Sequence, residues 1–223
     1  MNPFTTKNSK SFSLPVMKSI SVLLLLMIPF LMPAQNQNEK ARLQLQKLSG
    51  QIKTYKNVRI EFTYTLDNKE AKIHENRQGT MWLSGNRYRL TIAGQIIVND
   101  GKALYTYLPE AKEIQINEVS DQDDNLSPLA ILSNYEKKYK IKYIREDKPS
   151  QMVVDLVPVE GKKFFKIRIE IDTKKNQLSA FSLHDRNGSV YSYQITRFDS
   201  DNELKPGFFT INTADYPGVE VVD

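Results

Sequence analysis

The sequence predicts a mainly β protein with two helical segments, organised as one domain after a short N-terminal segment. The first observation is a series of about eleven runs in which apolar and polar residues alternate. The second is that turn residues separate these runs, without strand–helix–strand alternation and without a repeat of fixed length. Consecutive alternating runs joined by short turns are typical of an antiparallel sheet.

Composition sets the first limits on function. The chain has 223 residues, of which 40% are hydrophobic and 10% aromatic. This apolar content is sufficient for a folded core and argues against a disordered chain. The chain contains no cysteine, which excludes a disulfide framework, a thiol nucleophile and a thiolate metal site.

Residues 1–34 have the form of a secretory signal peptide, with three lysines, no acidic residue and an apolar run at residues 20–32. This run has 13 residues, whereas a membrane-spanning helix needs roughly 20, so a retained anchor is the weaker interpretation. Cleavage after Ala34 leaves residues 35–223 as a single domain, and Met17 is an alternative start. More than half of the formal charge of +5 lies in this segment, so we expect no nucleic-acid binding.

The first helix is expected at residues 39–54, where Asn38 is the candidate N-cap. Its apolar residues recur every three or four positions, which is the period of an amphipathic helix. They are Ala41, Leu45, Leu48 and Ile52.

Eleven strands follow from the alternating pattern, and a short apolar stub at residues 208–211 is a further candidate. Asn187 and Gly188 predict a two-residue hairpin loop, which requires positive φ at both central positions. The predicted strands are residues 58–67, 73–83, 86–92, 95–99, 102–108, 112–119, 139–145, 151–157, 164–172, 177–185 and 189–198.

A helical segment interrupts the strands between residues 120 and 137. Ser127 and Pro128 fit an N-cap followed by proline in the first helical turn. The apolar residues of this helix are Leu129, Ile131, Leu132 and Tyr135. They give it more apolar surface than a helix of two or three turns needs on a sheet, so it must pack against something or cover something.

The loop before this helix contains Asp121, Asp123 and Asp124, whose oxygen atoms are suited to calcium. The spacing lacks the glycine and the distant glutamate of a calcium-binding loop. A solvated acidic loop is therefore favoured, and we expect no metal site.

A sheet of this size has a large apolar face to bury. Two stacked sheets would bury it, and so would one sheet curled into a barrel. If a barrel encloses a cavity, its apolar inward positions predict a hydrophobic ligand. The alternative is that the same side chains simply fill the interior. The inward positions are Val58, Ile60, Phe62, Tyr64, Leu66, Tyr88, Leu90, Ile92, Phe165, Ile167, Ile169 and Ile171.

An ordered series of short segments resembles the LolA family, whose members are periplasmic carriers of outer-membrane lipoproteins. The series runs from the first helix to the last residue and is more specific than any single segment. Its segments are Gly-Thr-Met-Trp-Leu at 79–83, Asn-Arg-Tyr-Arg-Leu at 86–90, Ile-Val-Asn-Asp-Gly-Lys at 97–102, Leu-Tyr-Thr-Tyr-Leu-Pro at 104–109, Leu-Ser-Pro-Leu at 126–129 and Tyr-Pro-Gly-Val-Glu-Val-Val-Asp at 216–223.

The resemblance implies an incomplete, curled antiparallel β-barrel of about eleven strands, whose apolar concave face is covered by a helical lid. Trp82 and Tyr88 match aromatic positions of the family, and inward-facing apolar residues complete the expected cavity. The expected lipid cavity is Ile60, Phe62, Tyr64, Trp82, Tyr88, Leu90, Ile92, Val98, Ile167 and Ile169. The expected lid residues are Pro128, Leu129, Ile131 and Leu132.

One departure from the family concerns the latch of the lid. The family often has a Lys-Arg-Pro loop after the tryptophan, and the arginine of that loop holds the lid by hydrogen bonds. Here the loop reads Ser84, Gly85 and Asn86. Arg87 is adjacent and is the candidate replacement.

The resemblance further implies a monomeric periplasmic carrier. Its partners would be lipoprotein acyl chains, an ATP-driven lipoprotein-release complex of the inner membrane and an outer-membrane acceptor. A lipid-sensing regulatory module on the same scaffold is the alternative.

An envelope hydrolase acting on lipid is a third hypothesis, and His184 would be its catalytic candidate. His74 and His184 are the two histidines, and no Gly-x-Ser-x-Gly pattern occurs. The sequence also has neither a Gly-rich phosphate loop nor a dinucleotide fingerprint. We therefore expect no enzymatic activity and no cofactor.

Overall fold

The computed structural model describes residues 32–119, 128–147, 150–160 and 164–222. The chain divides into two units, Met1–Asn36 and Gln37–Asp223, and the second contains the sheet. The elements are α1 (Met32–Thr54), β1 (Val58–Asn68), β2 (Ile73–Ser84), β3 (Arg87–Ile92), β4 (Gln95–Asn99), β5 (Ala103–Leu108), β6 (Glu113–Glu118), α2 (Pro128–Lys138), β7 (Tyr139–Asp147), β8 (Gln151–Pro158), β9 (Phe164–Asp172), β10 (Gln177–Asp185), β11 (Val190–Ser200), a 3-10 turn (Thr213–Asp215) and β12 (Glu220–Val222).

One sheet contains all twelve described strands, in the order β12-β6-β5-β4-β3-β2-β1-β11-β10-β9-β8-β7. Every neighbouring pair is antiparallel except β12, which runs parallel to β6. The end strands β12 and β7 are not joined to each other, so the sheet is open. This confirms the predicted fold class of a mainly β protein with a curled, incomplete barrel.

Strand register defines two faces of the sheet. Ile60, Met81 and Leu90 are paired across β1, β2 and β3, so they lie on the same face, which we call the inner face. Beyond a bulge after Glu61, the same face continues from Tyr64 through the paired residues Tyr193 of β11, Phe181 of β10 and Ile169 of β9. The apolar surfaces of α1 and α2 pack against the inner face over β7–β10. The opposite side is called the outer face.

The outer face carries a C-terminal strap, defined here as residues 204–219. Ile211 of the strap packs with Val98 and Ile114 in a separate apolar cluster. Arg89 donates hydrogen bonds of 3.4 Å to the carbonyl oxygens of Phe208 and Thr210. The outer face of β4–β6 is therefore apolar beneath the strap.

Helix α1 begins at Met32, seven residues before the predicted start at residue 39. Asn38 consequently lies inside the helix and is not its N-cap. Its side-chain oxygen accepts a hydrogen bond of 2.8 Å from the backbone N–H of Tyr143. This contact satisfies an outward N–H of the edge strand β7, where an unpaired backbone group would invite association with another chain.

The predicted hairpin between β10 and β11 is present, but its loop has three residues. Gly188 donates its N–H to the carbonyl of Asp185 at 3.2 Å, and Asp185 donates its own N–H to Ser189. Gly188 has φ of 85°, whereas Asn187 is not among the residues with positive φ. This is a turn closed by a glycine bulge, in which one left-handed position suffices.

The strand candidate at residues 208–211 is wrong, because this segment forms turns within the C-terminal strap. Its apolar residues resemble the pattern of a strand, but they pack across the outer face of the sheet. The twelfth strand is instead β12. The signal peptide at residues 1–34 lies almost entirely outside the described residues and stays a prediction. Among the described residues, no helix has the length and apolar character needed to cross a bilayer.

Candidate functional site

The inner face holds two apolar clusters. The helix-covered cluster joins α1 and α2 to β7–β10, and its buried helix residues are Ala41, Leu45, Leu48, Ile131, Leu132 and Tyr135. The β1–β3 cluster contains buried Val58, Ile60, Phe62, Met81 and Leu83, with Tyr55, Tyr64, Tyr88, Leu90 and Ile92 half-buried around them. The described helix residues belong to the first cluster alone.

Tyr193 and Ile195 of β11 pack against both clusters. Tyr193 stacks on Phe181 with ring centroids 4.4 Å apart, and it meets Phe62 edge-on at 5.5 Å. Burial raises the pKa of Tyr193 to about 12, so its phenol stays neutral. The two clusters therefore form one continuous apolar surface from β3 to β7.

Six of the predicted cavity residues lie together in the β1–β3 cluster: Ile60, Phe62, Tyr64, Tyr88, Leu90 and Ile92. Ile167 and Ile169 also lie on the inner face, but beneath the helices, where they are fully buried. Burial raises the pKa of Tyr88, as expected for a phenol in apolar surroundings. A cleft of about 430 Å³ near the end of β3 is lined mainly by outer-face residues, among them Glu61, Thr80 and Thr91, so it is not part of this cluster's inner-face surface.

Trp82 and Val98 require correction, since both lie on the outer face. Trp82 pairs with Arg59 and Arg89, and Arg89 pairs with Val98. These four residues therefore lie on the face opposite to Ile60 and Leu90. The Trp82 ring meets Phe208 of the C-terminal strap with centroids 5.1 Å apart. Val98 is fully buried with Ile114 and Ile211. Both residues are apolar because the strap covers them on the outer face.

Arg87, the candidate latch, also lies on the outer face. Its guanidinium lies over the ring of Phe209 in the strap, 5.1 Å from the centroid. Since α2 packs on the inner face, Arg87 is on the wrong side of the sheet to hold it. Ile131 and Leu132 of the predicted lid are buried in the helix-covered cluster. The side chains of Pro128 and Leu129 lie outside the described part of the chain.

Phe165 was expected to face inward with Ile167, but it is exposed and lies beside His184 on the outer face. Its neighbour Phe164 is the buried residue, because the β9–β10 register shifts next to it. The inner-face residues that the sequence interpretation missed include Met81, Phe181, Tyr191, Tyr193 and Ile195. Alternation in β11 was the signal that would have indicated the last three.

Direct hydrogen bonds join the two helices. Ser49 of α1 donates to the carbonyl oxygen of Leu132 at 3.0 Å, and Gln46 donates to Glu136 at 2.9 Å. A cleft of about 290 Å³ lies between α1 and α2 beside these contacts. The hydrogen bonds between the helices and the apolar packing of the helices on the sheet together fix the position of α2.

His184 has no acidic partner that would orient it as a catalytic base among the described residues. Its Nε2 lies 3.1 Å from the hydroxyl of Ser182, while Asp155 accepts hydrogen bonds from Nε and Nη2 of Arg168 at 2.7 and 3.0 Å. Burial, with Lys166 and Arg168 nearby, lowers the pKa of His184 to about 4. Asp121, Asp123 and Asp124 lie outside the described residues, and the described part of the chain contains no cluster of metal-ligand side chains.

Comparisons with known proteins found similar structures and a similar sequence. The crystal structure of a LolA superfamily protein from Nitrosomonas europaea matches 77% of this chain and 97% of its own, with 12% identity and a TM-score of 0.43. The crystal structure of a lipoprotein-sorting protein domain from Vibrio parahaemolyticus also covers 77% of this chain and 97% of its own, with 12% identity and a TM-score of 0.45. In sequence, the chain is 25% identical over 183 residues to the outer-membrane lipoprotein carrier protein of Hahella chejuensis, covering 78% of this chain and 86% of the relative.

A family model described as outer membrane lipoprotein carrier protein LolA matches residues 51–212. This match includes all strands from β1 to β11, and with them the whole inner face. The chain therefore belongs to the LolA family.

Proposed function

We propose that this protein is a periplasmic carrier that binds the acyl chains of lipoproteins on its inner face and shuttles them from the inner to the outer membrane. The observation that carries the proposal is the continuity of the apolar inner face, which Tyr193 and Ile195 extend from the β1–β3 cluster to the helix-covered cluster. The neutral phenols of Tyr88 and Tyr193 add contact area without adding charge.

The energetics of the cargo explain why a carrier is needed. Each methylene group removed from water contributes about 0.8 kcal/mol, so long acyl chains cannot cross an aqueous compartment unaided. Release at the second membrane requires that the protein bind the chains about as well as a bilayer does. Broad apolar contact meets this requirement because it is non-directional and accepts chains of different length.

In this proposal α2 acts as the lid. Its buried residues Ile131 and Leu132 cover the β7–β10 part of the inner face, which includes Ile167 and Ile169. Displacement of α2 would expose this covered surface next to the β1–β3 cluster and lengthen the acyl-binding surface. The proposed partners are an ATP-driven release complex of the inner membrane and an acceptor at the outer membrane. The carrier is proposed to act as a monomer and without a cofactor.

Mass spectrometry of protein purified from its native periplasm tests the proposal. A carrier is expected to retain acylated lipoprotein, and the lipid-free protein is expected to bind an environment-sensitive apolar dye at a saturable site that lipoprotein competes for. Copurification of neither lipoprotein nor lipid, together with non-saturable dye binding, would contradict it. Stable capture of one regulatory protein domain in place of varied lipoproteins would favour the alternative of a lipid-sensing module.

A further inference from the structure

Three tyrosines lie side by side on the inner face where β1 meets β11. Tyr64 is directly opposite Tyr193 in the strand pairing, and Tyr191 is opposite Leu66, one position further along the same face. The rings of Tyr64 and Tyr193 are 5.2 Å apart between centroids. Diagonal neighbours on one face of a sheet lie about 7–8 Å apart, so Tyr191 is within reach of the same ligand group.

The hydroxyl groups of these three tyrosines have no hydrogen-bond partner among the described residues. All three side chains are half-buried. Tyr135 of α2 provides the contrast, since its hydroxyl donates to Glu136 at 3.3 Å. These hydroxyls still contact water, because Ser179 Oγ is the only fully buried side-chain polar atom without a partner among the described residues. They are therefore accessible donors beside an apolar surface, and three of them together favour a ligand that supplies acceptors.

A ligand that pairs with these hydroxyls must accept hydrogen bonds. Burial raises the pKa of Tyr193 to about 12 and raises the pKa of Tyr64 above its usual value, so both phenols keep their protons and can donate. An ester carbonyl accepts hydrogen bonds and donates none. An ester-linked acyl chain joins such a carbonyl to the hydrocarbon that the apolar face accepts.

The position of the three tyrosines fits the polar end of an acyl chain. Along β1, Phe62 is buried, whereas Tyr64 and Leu66 are half-buried. Arg77 and Glu75 pair with Tyr64 and Leu66 across β2, and both are exposed, with 3.8 Å between their charged atoms. The tyrosines thus lie between the deepest apolar residues and a charged margin, where the carbonyl of a bound chain would lie if its hydrocarbon extended toward Phe62.

We propose that Tyr64, Tyr191 and Tyr193 form an ester-binding subsite, in which their hydroxyls donate hydrogen bonds to the carbonyl oxygens of ester-linked acyl chains. This inference rests on the proposed function, because it specifies the chemical class of lipid that the inner face takes. The remainder of the face then contributes affinity by contact area, while the subsite fixes the depth of the chain.

Competition binding with two matched glycerides tests the subsite. Dioctanoylglycerol has ester carbonyls, and dioctylglycerol ether has chains of the same length without carbonyls; each is titrated against a bound apolar dye. The wild-type protein is expected to bind the ester at least about five-fold more tightly, equivalent to about 1 kcal/mol for one hydrogen bond. The triple variant Tyr64→Phe, Tyr191→Phe, Tyr193→Phe is expected to bind both equally.

The control is Tyr107→Phe, which removes a hydroxyl on the outer face, where Tyr107 packs against Tyr216. It is expected to keep the preference for the ester. Equal affinity of the wild-type protein for ester and ether would overturn the subsite, and so would a preference that survives in the triple variant. Failure of both glycerides to displace the dye would overturn the proposed function itself. Phenylalanine preserves the ring packing, and thermal denaturation verifies that the variants fold.

Discussion

The ring of Phe62 lies directly over Gly79 of the neighbouring strand. A Cβ atom at position 79 would come within 2.4 Å of Cζ and 2.8 Å of Cε2 of the Phe62 ring, and within 2.9 Å of the Thr91 carbonyl oxygen. Gly79 therefore gives the Phe62 ring the space to reach Tyr193 on β11. This contact sets the packing of the β1–β3 cluster at its junction with the helix-covered cluster.

Gly79→Ala is predicted to displace the Phe62 ring and to weaken dye binding on the inner face. The free energy of unfolding should fall by about 1–3 kcal/mol, the usual cost of overpacking, as measured by urea denaturation. The matched control is Gly50→Ala in α1, where a Cβ meets no atom within 4 Å. That substitution should be neutral or stabilising by up to about 1 kcal/mol because alanine favours the helix. Equal effects of the two substitutions would contradict the assigned role of Gly79.

Leu90→Asp is predicted to reduce acyl-chain binding by more than about ten-fold, because an unpaired carboxylate against an apolar ligand is costly. Leu90 faces inward, whereas its neighbour Thr91 is exposed and faces the other side. Thr91→Asp is therefore the control and should leave binding unchanged. Circular dichroism checks that both variants are folded, and undiminished binding in folded Leu90→Asp would remove this residue from the site.

Phe208→Ala is predicted to release the C-terminal strap from Trp82. Trp82 is the only tryptophan of the chain, and its ring lies between the guanidinium of Arg59, 5.4 Å away, and the ring of Phe208. Its fluorescence should shift to longer wavelength as water reaches the ring, with a loss of about 1–2 kcal/mol in stability. Dye binding should be unaffected, because the strap lies on the outer face. An unchanged emission spectrum would show that Phe208 does not shield Trp82.

His184 predicts a pH dependence of stability. Burial and the nearby Lys166 and Arg168 lower its pKa in the folded state to about 4, from 6.5 for an unperturbed histidine. As the pH falls through this interval, the unfolded chain binds a proton that the folded protein excludes, so stability decreases between about pH 6.5 and 4. His184→Gln should flatten this part of the curve in denaturation experiments at successive pH values. An identical slope in the variant would assign the effect to other groups.

Much of the fold could be predicted because the alternation in β1, β3 and β9 is regular. The details that the sequence did not predict depend on strand register and on the conformation of the turns. Gly188 alone has positive φ in the β10–β11 loop, so the loop closes with three residues where the Asn-Gly pair favoured two. Asn38 has the chemistry of a helix cap, but Tyr143 of β7 uses its side chain instead. Both outcomes depend on neighbours that the local sequence does not identify.

The face on which an aromatic residue lies was harder to predict. Trp82 stands between Met81 and Leu83, which are both buried on the inner face, and Val98 follows two further apolar residues. Periodicity cannot assign a face where both sides of a strand are apolar. The cause of this double burial is the C-terminal strap, whose residues are more than 100 positions away in the chain, as Val98 and Ile211 illustrate.

Site-specific photo-crosslinking tests the central claim most directly, since it reports which face of the sheet contacts acyl chains. A photoreactive phenylalanine derivative is placed either at Ile92, on the inner face, or at Thr91, the adjacent exposed position. The protein is then irradiated with acylated lipoprotein. The account predicts an adduct to the acyl chain from position 92 and none from position 91. Equal adducts from both positions, or an adduct from position 91 alone, would contradict it.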